Sequence, residues 1–293
     1  MSNTPLRREL KSSLFQYRTL IAGFSLGLII LSISRLLLFI WQFDRVTEAG
    51  NLSYLMLMGL RADIVQMGYL TLPLLLFAPL FLNRWGARAW QKVQSIWLII
   101  AITYITFMEV STPAFVMQYD LRPNRLFIEY LEYPKEVIST LWGGFKIWLL
   151  LTVGVLSTCL YGLIKLAKRL NQATYGHNQY TGRALIVWPL LMVLVFAGVR
   201  STLAHRPANP AFFAVTSDAL VNSLVISSAY SLEYAIYSMR HEENASRIYG
   251  DASLEEILNT VRAQPHLADK TFPSEEYPTV HFNKASRSFD KPK

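Results

Sequence analysis

The stretch from Ser53 to Leu82 is apolar over nearly its whole length and is long enough to cross a lipid bilayer. A spanning helix needs about 20 apolar residues. Two charged residues, Arg61 and Asp63, nevertheless lie in its first third. A charge at that depth costs at least ~2.5–3.5 kcal/mol, so it is by default a functional-site hypothesis. Because the two residues are two apart, they point to different faces of a helix, and we expect each to need its own partner on another helix, or water.

Similar apolar runs recur along the chain and predict an all-α integral membrane protein built as a five-transmembrane-helix bundle. The 293 residues are 52% hydrophobic and 16% charged, whereas a soluble domain is about 25% charged. The predicted spans cover about residues 19–43, 53–82, 95–116, 145–164 and 184–203, so residues 1–204 form the transmembrane domain. We expect extracytoplasmic juxtamembrane helices over 205–264 and an extended linker over 265–293.

Lysine and arginine cluster beside alternate ends of these runs, which is the positive-inside pattern. The basic flanks are residues 1–18, 83–94 and 165–183. This alternation predicts a cytoplasmic N-terminus and a C-terminal tail outside. The net charge of +8 is therefore explained by the flanks of the spans, and we do not expect nucleic acid as a partner.

With this topology, ionisable residues from four spans share the outer half of the bilayer. They are Arg35, Arg61, Asp63, Glu109 and Arg200. At ~1.5 Å per residue they lie roughly 5–15 Å below the outer surface. Three further arginines lie near these residues. Arg122 and Arg125 follow span three at the level of the lipid headgroups, and Arg206 lies in a turn after span five.

Two interpretations of these eight residues stay open. The arginines suit an anionic phospholipid such as phosphatidylglycerol, because the guanidinium fork donates two hydrogen bonds to a phosphate at once. Asp63 and Glu109 would then orient the arginines or bind glycerol hydroxyls. The alternative is an interhelical salt-bridge network that fixes the bundle and holds no ligand. None of the histidines follows a zinc-ligand spacing, so we expect no metal site in this chain.

The remaining segments predict short helices. Residues 125–132 and 134–142 are each amphipathic, and their aromatic residues suit the membrane interface. Helical spacing of apolar residues predicts one long helix from Thr216 to about Glu243. Ser253 and Glu256 form a capping box that opens a helix to about Ala263. Only Tyr277 to Phe282 has the character of a strand.

Four stretches resemble one family of bacterial enzymes. They are Gly59-Leu-Arg-Ala-Asp63, Arg122-Pro-Asn-Arg125, Arg206-Pro-Ala-Asn-Pro210 and the run from Asn222 to Tyr237. The family is that of the lipoteichoic acid synthase-like, sulfatase-superfamily phosphoglycerol transferases. The resemblance covers essentially the whole chain, as the membrane half and juxtamembrane linker of such a protein. It implies a location in the bacterial cytoplasmic (inner) membrane.

In that family the linker leads into an exported catalytic domain with a threonine nucleophile and a divalent metal, typically manganese. We expect that domain to begin where this chain ends, so no catalytic residue is carried over. The resemblance implies a module that anchors the transferase and presents lipid to it. The alternatives are a non-catalytic scaffold or partner subunit that lacks the transferase domain, and a small transporter. The one-sided charges and the absence of a repeat argue against the transporter.

Overall fold

The computed structural model describes residues 14–81, 84–175, 184–249, 252–264, 266–267 and 270–283. All regular structure within these ranges is helical, which confirms the all-α prediction. The chain forms two compact units, Met1–Tyr237 and Ser238–Lys293. Residues 1–13 of the predicted basic flank 1–18, residues 176–183 of the predicted basic flank 165–183 and the tail after Asn283 lie outside the described residues.

Eleven α-helices are present in the part of the chain that the structure describes. They are α1 Arg18–Trp41, α2 Phe43–Ala49, α3 Leu52–Phe77, α4 Arg84–Tyr119, α5 Arg125–Leu131, α6 Pro134–Gly144, α7 Lys146–Tyr175, α8 Ala184–Arg200, α9 Ala219–Val225, α10 Ser228–Tyr249 and α11 Leu254–Arg262. Short 3-10 turns cover Phe15–Tyr17, Ala78–Phe81 and Pro210–Phe213.

Four helices of the described chain, α1, α3, α4 and α7, are long and apolar enough to cross a bilayer. They correspond to the first four predicted spans and indicate a membrane protein. Helix α8 is apolar but has 17 residues, the lower limit for a span. The fifth span therefore stays a prediction. Helix α4 begins at Arg84 and not near Ser95, because its basic first turns are helical as well.

Helix α1 packs against both α3 and α4. Gly23 faces Leu98 of α4, and Gly27 faces Met67 of α3. Helix α8 runs antiparallel to α3, since Trp188 donates a hydrogen bond to the Leu75 carbonyl at 2.8 Å. Ile64 meets Gly198 at the other end of this contact.

Local sequence sets several helix ends. The Asn51 side chain accepts the N–H groups of Ser53 and Tyr54 at the start of α3. Asn124 accepts the N–H of Leu126 and opens α5. These contacts satisfy N–H groups that have no partner within the helix. The two short amphipathic helices predicted between spans three and four are confirmed as α5 and α6.

The prediction of one helix from Thr216 to Glu243 is wrong, because the chain breaks at Ile226 and Ser227 between α9 and α10. Residues Leu220, Val221, Leu224 and Val225 of α9 are completely buried. They pack against α1, α2 and α3 at the end of the bundle where α1 finishes. We call this the Trp41 end. The segment after α8 is therefore built into the helix bundle over its first part.

The second unit contains helix α11, whose predicted capping box is present at Ser253 and Glu256. Arg262 at the end of α11 donates a 2.7 Å hydrogen bond to the Pro278 carbonyl, and its guanidinium lies 4.9 Å from the Phe272 ring centroid. The strand predicted over Tyr277–Phe282 is not formed. This segment instead makes a turn in which the Val280 N–H bonds the Tyr277 carbonyl at 3.0 Å.

Gly59 on α3 lies directly against the Arg35 side chain, and a methyl group added there would sit 2.5 Å from Arg35 Cζ. We expect Gly59→Ala to lower the free energy of unfolding by about 1–3 kcal/mol, the usual cost of overpacking. Gly162→Ala on α7 is the control, because its added methyl meets nothing within 4 Å. Thermal unfolding in mild detergent measures both, and equal stability of the two variants would contradict this packing.

Candidate functional site

Arg35 of α1 and Asp63 of α3 form a bidentate ion pair inside the bundle. Arg35 Nη1 donates to Asp63 Oδ2 at 2.7 Å, and Nη2 donates to Oδ1 at 2.5 Å. The side chains are 1% and 0% exposed. This geometry matches the guanidinium fork to the carboxylate. The expectation that Asp63 finds its partner on another helix is confirmed.

A second buried pair joins Glu109 of α4 to Arg122, which lies just beyond the end of that helix. Arg122 Nη1 donates to both carboxylate oxygens of Glu109, at 2.8 and 2.9 Å. The Arg122 side chain is 1% exposed. The Arg122 guanidinium is therefore enclosed by protein beside the Glu109 carboxylate, and its position at headgroup level stays a prediction. We call Arg35, Asp63, Glu109 and Arg122 the charge cluster.

The charge cluster holds the break between α9 and α10. At the end of α9, Arg35 Nε donates to the Val225 carbonyl at 3.0 Å and Arg122 Nη2 donates to the Leu224 carbonyl at 3.3 Å. At the start of α10, the Ser228 N–H donates to Glu109 Oε1 at 2.9 Å. Cations thus meet the carbonyl end of one helix and an anion meets the N–H end of the next, as the helix dipoles favour.

Hydroxyl groups complete this arrangement. Ser34 donates a hydrogen bond to Glu109 Oε2. The Ser228 hydroxyl lies 2.6 Å from the Thr112 hydroxyl and accepts a hydrogen bond from Arg122 Nη1 at 3.1 Å. Buried polar groups are costly unless they are paired. Four of the eight candidate residues are therefore engaged with one another and with the backbone of the broken helix.

Arg61 has a different environment, since it is half-buried beside the C-terminal end of α8. Its Nε donates to the Ser201 hydroxyl at 2.7 Å, and its guanidinium lies 4.7 Å from the Phe212 ring centroid. Among the described residues, its two Nη groups have no acceptor. Ser201 adopts a left-handed backbone with φ of 51°, which is uncommon for a residue other than glycine and turns the chain sharply after α8.

Of the other three arginines, Arg125 and Arg206 are exposed and Arg200 is half-buried. Arg125 donates to Glu129 one helical turn away at 2.8 Å, and both side chains are exposed. Arg200 Nη2 donates to the Ala204 carbonyl at 2.7 Å. Arg206 is exposed. The eight predicted residues thus divide into a buried cluster of four and four arginines that are accessible to some degree.

Two polar contacts of this region were not predicted. Arg45 of α2 bridges Asp120 at 2.7 Å and Asp218 at 2.5 Å. The bridge joins α2 to the end of α4 and to the first turn of α9, where Asp218 also accepts the Val221 N–H. Gln66 of α3 donates to Glu233 of α10 at 3.1 Å. These partners lie more than 70 residues apart in sequence, and no local pattern pairs them.

Metal ligands were expected only in a separate catalytic domain. Within the described ranges, no group of three or more histidine, cysteine, aspartate or glutamate residues is placed to hold a metal ion. The manganese-type metal that the resemblance implies stays a prediction.

Removing one partner of a buried ion pair leaves the other charge uncompensated. We expect Glu109→Gln to lower the free energy of unfolding by about 3–5 kcal/mol. The matched control is Glu129→Gln, which breaks the exposed pair with Arg125 and should cost about 0.3–0.5 kcal/mol. Unfolding in mild detergent measures both variants. A Glu109→Gln protein as stable as its control would show that the charge cluster does not hold the fold.

The Asp218 carboxylate makes the free energy of unfolding depend on pH. Partial burial acts to raise the pKa of Asp218, but hydrogen bonds from Arg45 and from the Val221 N–H outweigh it and hold that pKa below its usual range. Its contribution is therefore complete above the ordinary aspartate pKa of about 3.9 and is lost as the pH falls through the lowered value.

Asp218→Asn tests this linkage, because asparagine still caps a helix but carries no charge for Arg45. We expect the variant to unfold at a lower temperature than the natural protein at pH 7. The difference should shrink as the pH falls below 4. Asp44→Asn, an exposed acid in the first turn of α2, is the control. A difference that is constant with pH would contradict the role of the Asp218 charge.

No family model matches this chain, and no solved structure matches it. The four stretches quoted above are therefore the basis of the resemblance to phosphoglycerol transferases. The assignment to that family stays a prediction.

Proposed function

We propose that this chain is the membrane-anchoring and lipid-presenting module of a lipid-headgroup transferase of the sulfatase superfamily, acting outside the bacterial cytoplasmic membrane. The anionic headgroup, as in phosphatidylglycerol, binds at Arg61. The observation that carries the proposal is the half-buried guanidinium of Arg61, which has no acceptor for its two Nη groups among the described residues. The N-terminus is cytoplasmic in this proposal, and the Trp41 end faces outside.

The surroundings of Arg61 favour an anion. Ser201 takes the Nε hydrogen bond and so fixes the plane of the guanidinium, while Phe212 covers one face. The edge with the two Nη groups is left for a planar or tetrahedral oxyanion. A phosphate oxygen accepts charge-assisted hydrogen bonds from such an edge. Arg200 precedes Ser201 in the chain and adds a second positive charge nearby.

Anchoring is the role of the charge cluster in this proposal. It fixes α9 and the start of α10 within the bundle, so that residues up to Leu232 are held by buried contacts. A segment fixed in this way gives whatever follows it a defined starting point at the membrane. The lipid site at Arg61 and the fixed segment meet at Phe212, which precedes α9 by a few residues.

The second candidate function is a scaffold or partner subunit that holds no lipid headgroup. It is favoured by the charge cluster itself, because Arg35, Asp63, Glu109 and Arg122 are engaged with one another. Lipid binding separates the two candidates. A scaffold needs no preference for anionic over zwitterionic lipid, whereas the presenting module requires one that depends on Arg61.

Arg61→Gln removes the charge and the guanidinium fork and leaves a shorter, polar side chain. We expect the variant to bind phosphatidylglycerol about 10- to 100-fold more weakly, since hydrogen bonds to charged groups contribute about 1.5–3 kcal/mol. Titration of the purified protein in detergent with fluorescent phosphatidylglycerol measures this. The control is Arg125→Gln, which removes an exposed arginine already paired with Glu129.

Phosphatidylethanolamine serves as the second ligand in the same titration. Its ammonium group offsets the charge of its phosphate, so its affinity should fall less than that of phosphatidylglycerol in Arg61→Gln and should change little in Arg125→Gln. An unfolding temperature of Arg61→Gln close to that of the natural protein will show that the bundle is intact. Unchanged phosphatidylglycerol binding in a folded Arg61→Gln protein would overturn the headgroup site and leave the scaffold.

A further inference from the structure

A groove opens on the side of the bundle between α1, α4 and α7. Its volume is about 820 Å³, within the range of about 300–1,000 Å³ found for ligand pockets. Its walls are mainly apolar and include Ile33, Leu37 and Trp41 of α1, Val110 of α4, and Leu151 and Val155 of α7. We call it the lateral groove.

The groove exists because α7 joins the bundle mainly through its later half. Near that end, Gln91 donates to the Leu170 carbonyl and Ser95 donates to Asn171, each at 3.3 Å. Further back, the Thr106 hydroxyl lies 3.5 Å from the Cys159 thiol. The beginning of α7 stands away from α1, and Ile147 and Leu150 are 79% and 72% exposed.

The dimensions of the lateral groove match one leaflet of a bilayer. It extends along α1 from Ile30 to Trp41 and along α7 from Trp148 to Cys159. Each distance is about 16 Å at the helical rise of ~1.5 Å per residue, and half of a hydrocarbon core is about 15 Å. Trp41 and Trp148 stand at the Trp41 end, where tryptophan suits the interface between acyl chains and headgroups.

The polar atoms in the groove are already satisfied. Ser34 and Glu109 line it, but Ser34 donates to Glu109 and the carboxylate is neutralised by Arg122. The occupant is therefore not required to supply a polar group at that depth. An apolar, flexible chain fits these walls, and a charged headgroup does not.

We propose that the lateral groove binds an acyl chain of a membrane phospholipid, with the glycerol end of the lipid between Trp41 and Trp148. The inference goes beyond the headgroup site, because among the described residues no groove-lining side chain lies on α3 or α8, which carry Arg61 and Arg200. The lateral groove recognises the acyl chain of the lipid and not its headgroup.

Two glycines of α7 provide a matched test. Gly154 lines the groove and Gly162 does not, and an added Cβ at either position meets nothing within 4 Å. We expect Gly154→Trp to fill the groove and lose one bound phospholipid per chain relative to the natural protein. Gly162→Trp should keep it. Native mass spectrometry of the detergent-purified chain, supplied with dioleoylphosphatidylethanolamine or dioleoylphosphatidylglycerol, counts the bound lipid.

The natural protein offers an independent readout, because its single cysteine, Cys159, lines the groove. We expect either phospholipid to slow alkylation of Cys159 by N-ethylmaleimide, and Arg61→Gln to leave that protection unchanged. Failure of the headgroup site is thus distinguished from failure of the groove. If Gly154→Trp does not fold, Gly154→Leu replaces it.

Equal lipid counts in folded Gly154→Trp and Gly162→Trp proteins, or no protection of Cys159, would overturn the proposal. If the natural protein is a dimer and Gly154→Trp is a monomer with the same number of bound lipids, the groove binds a second copy of the chain. That result would overturn the proposal as well.

Discussion

The interrupted helix between α9 and α10 depends on the charge cluster. Ending one helix and starting another inside a bundle leaves carbonyl and N–H groups without partners, and each such group costs several kcal/mol in an apolar environment. Arg35 and Arg122 take the carbonyls of Val225 and Leu224, and Glu109 takes the N–H of Ser228. The break and the charges therefore stabilise each other, since neither is tolerable in this position alone.

Arginine–carboxylate pairs suit this position better than neutral side chains, because the arginine side chain is long and its guanidinium has several donors. A guanidinium donates to a carboxylate and a backbone carbonyl at the same time, as Arg35 does with Asp63 and Val225. The cluster contains two positive and two negative charges, so it is neutral as a unit. Taking isolated charges out of water is strongly unfavourable, and close pairing with additional hydrogen bonds offsets that penalty.

The sequence predicted the helical fold and identified which charged residues need partners, because a charge in an apolar run is visible without a structure. It did not predict the break at Ile226 and Ser227, where neither proline nor glycine interrupts the helical spacing of Leu224 and Tyr234. Without the break, Glu109 has no N–H to bind and Arg122 loses the Leu224 carbonyl as an acceptor. The pairing of Arg122 therefore depends on tertiary contacts that local patterns do not contain.

Helix α1 explains how one bundle keeps polar and lipid-facing surfaces apart. Successive residues of a helix are about 100° apart, so Ile33 and Leu37 point away from Arg35, which lies two residues from each. Arg35 reaches inward to Asp63 and α9, whereas its neighbours line the lateral groove. The acyl chain proposed for the lateral groove therefore lies against the outer face of α1, opposite the buried Arg35. The headgroup site proposed at Arg61, on α3, would then be a second contact with lipid. The charge cluster connects α1, which lines the groove, with α3, which carries Arg61.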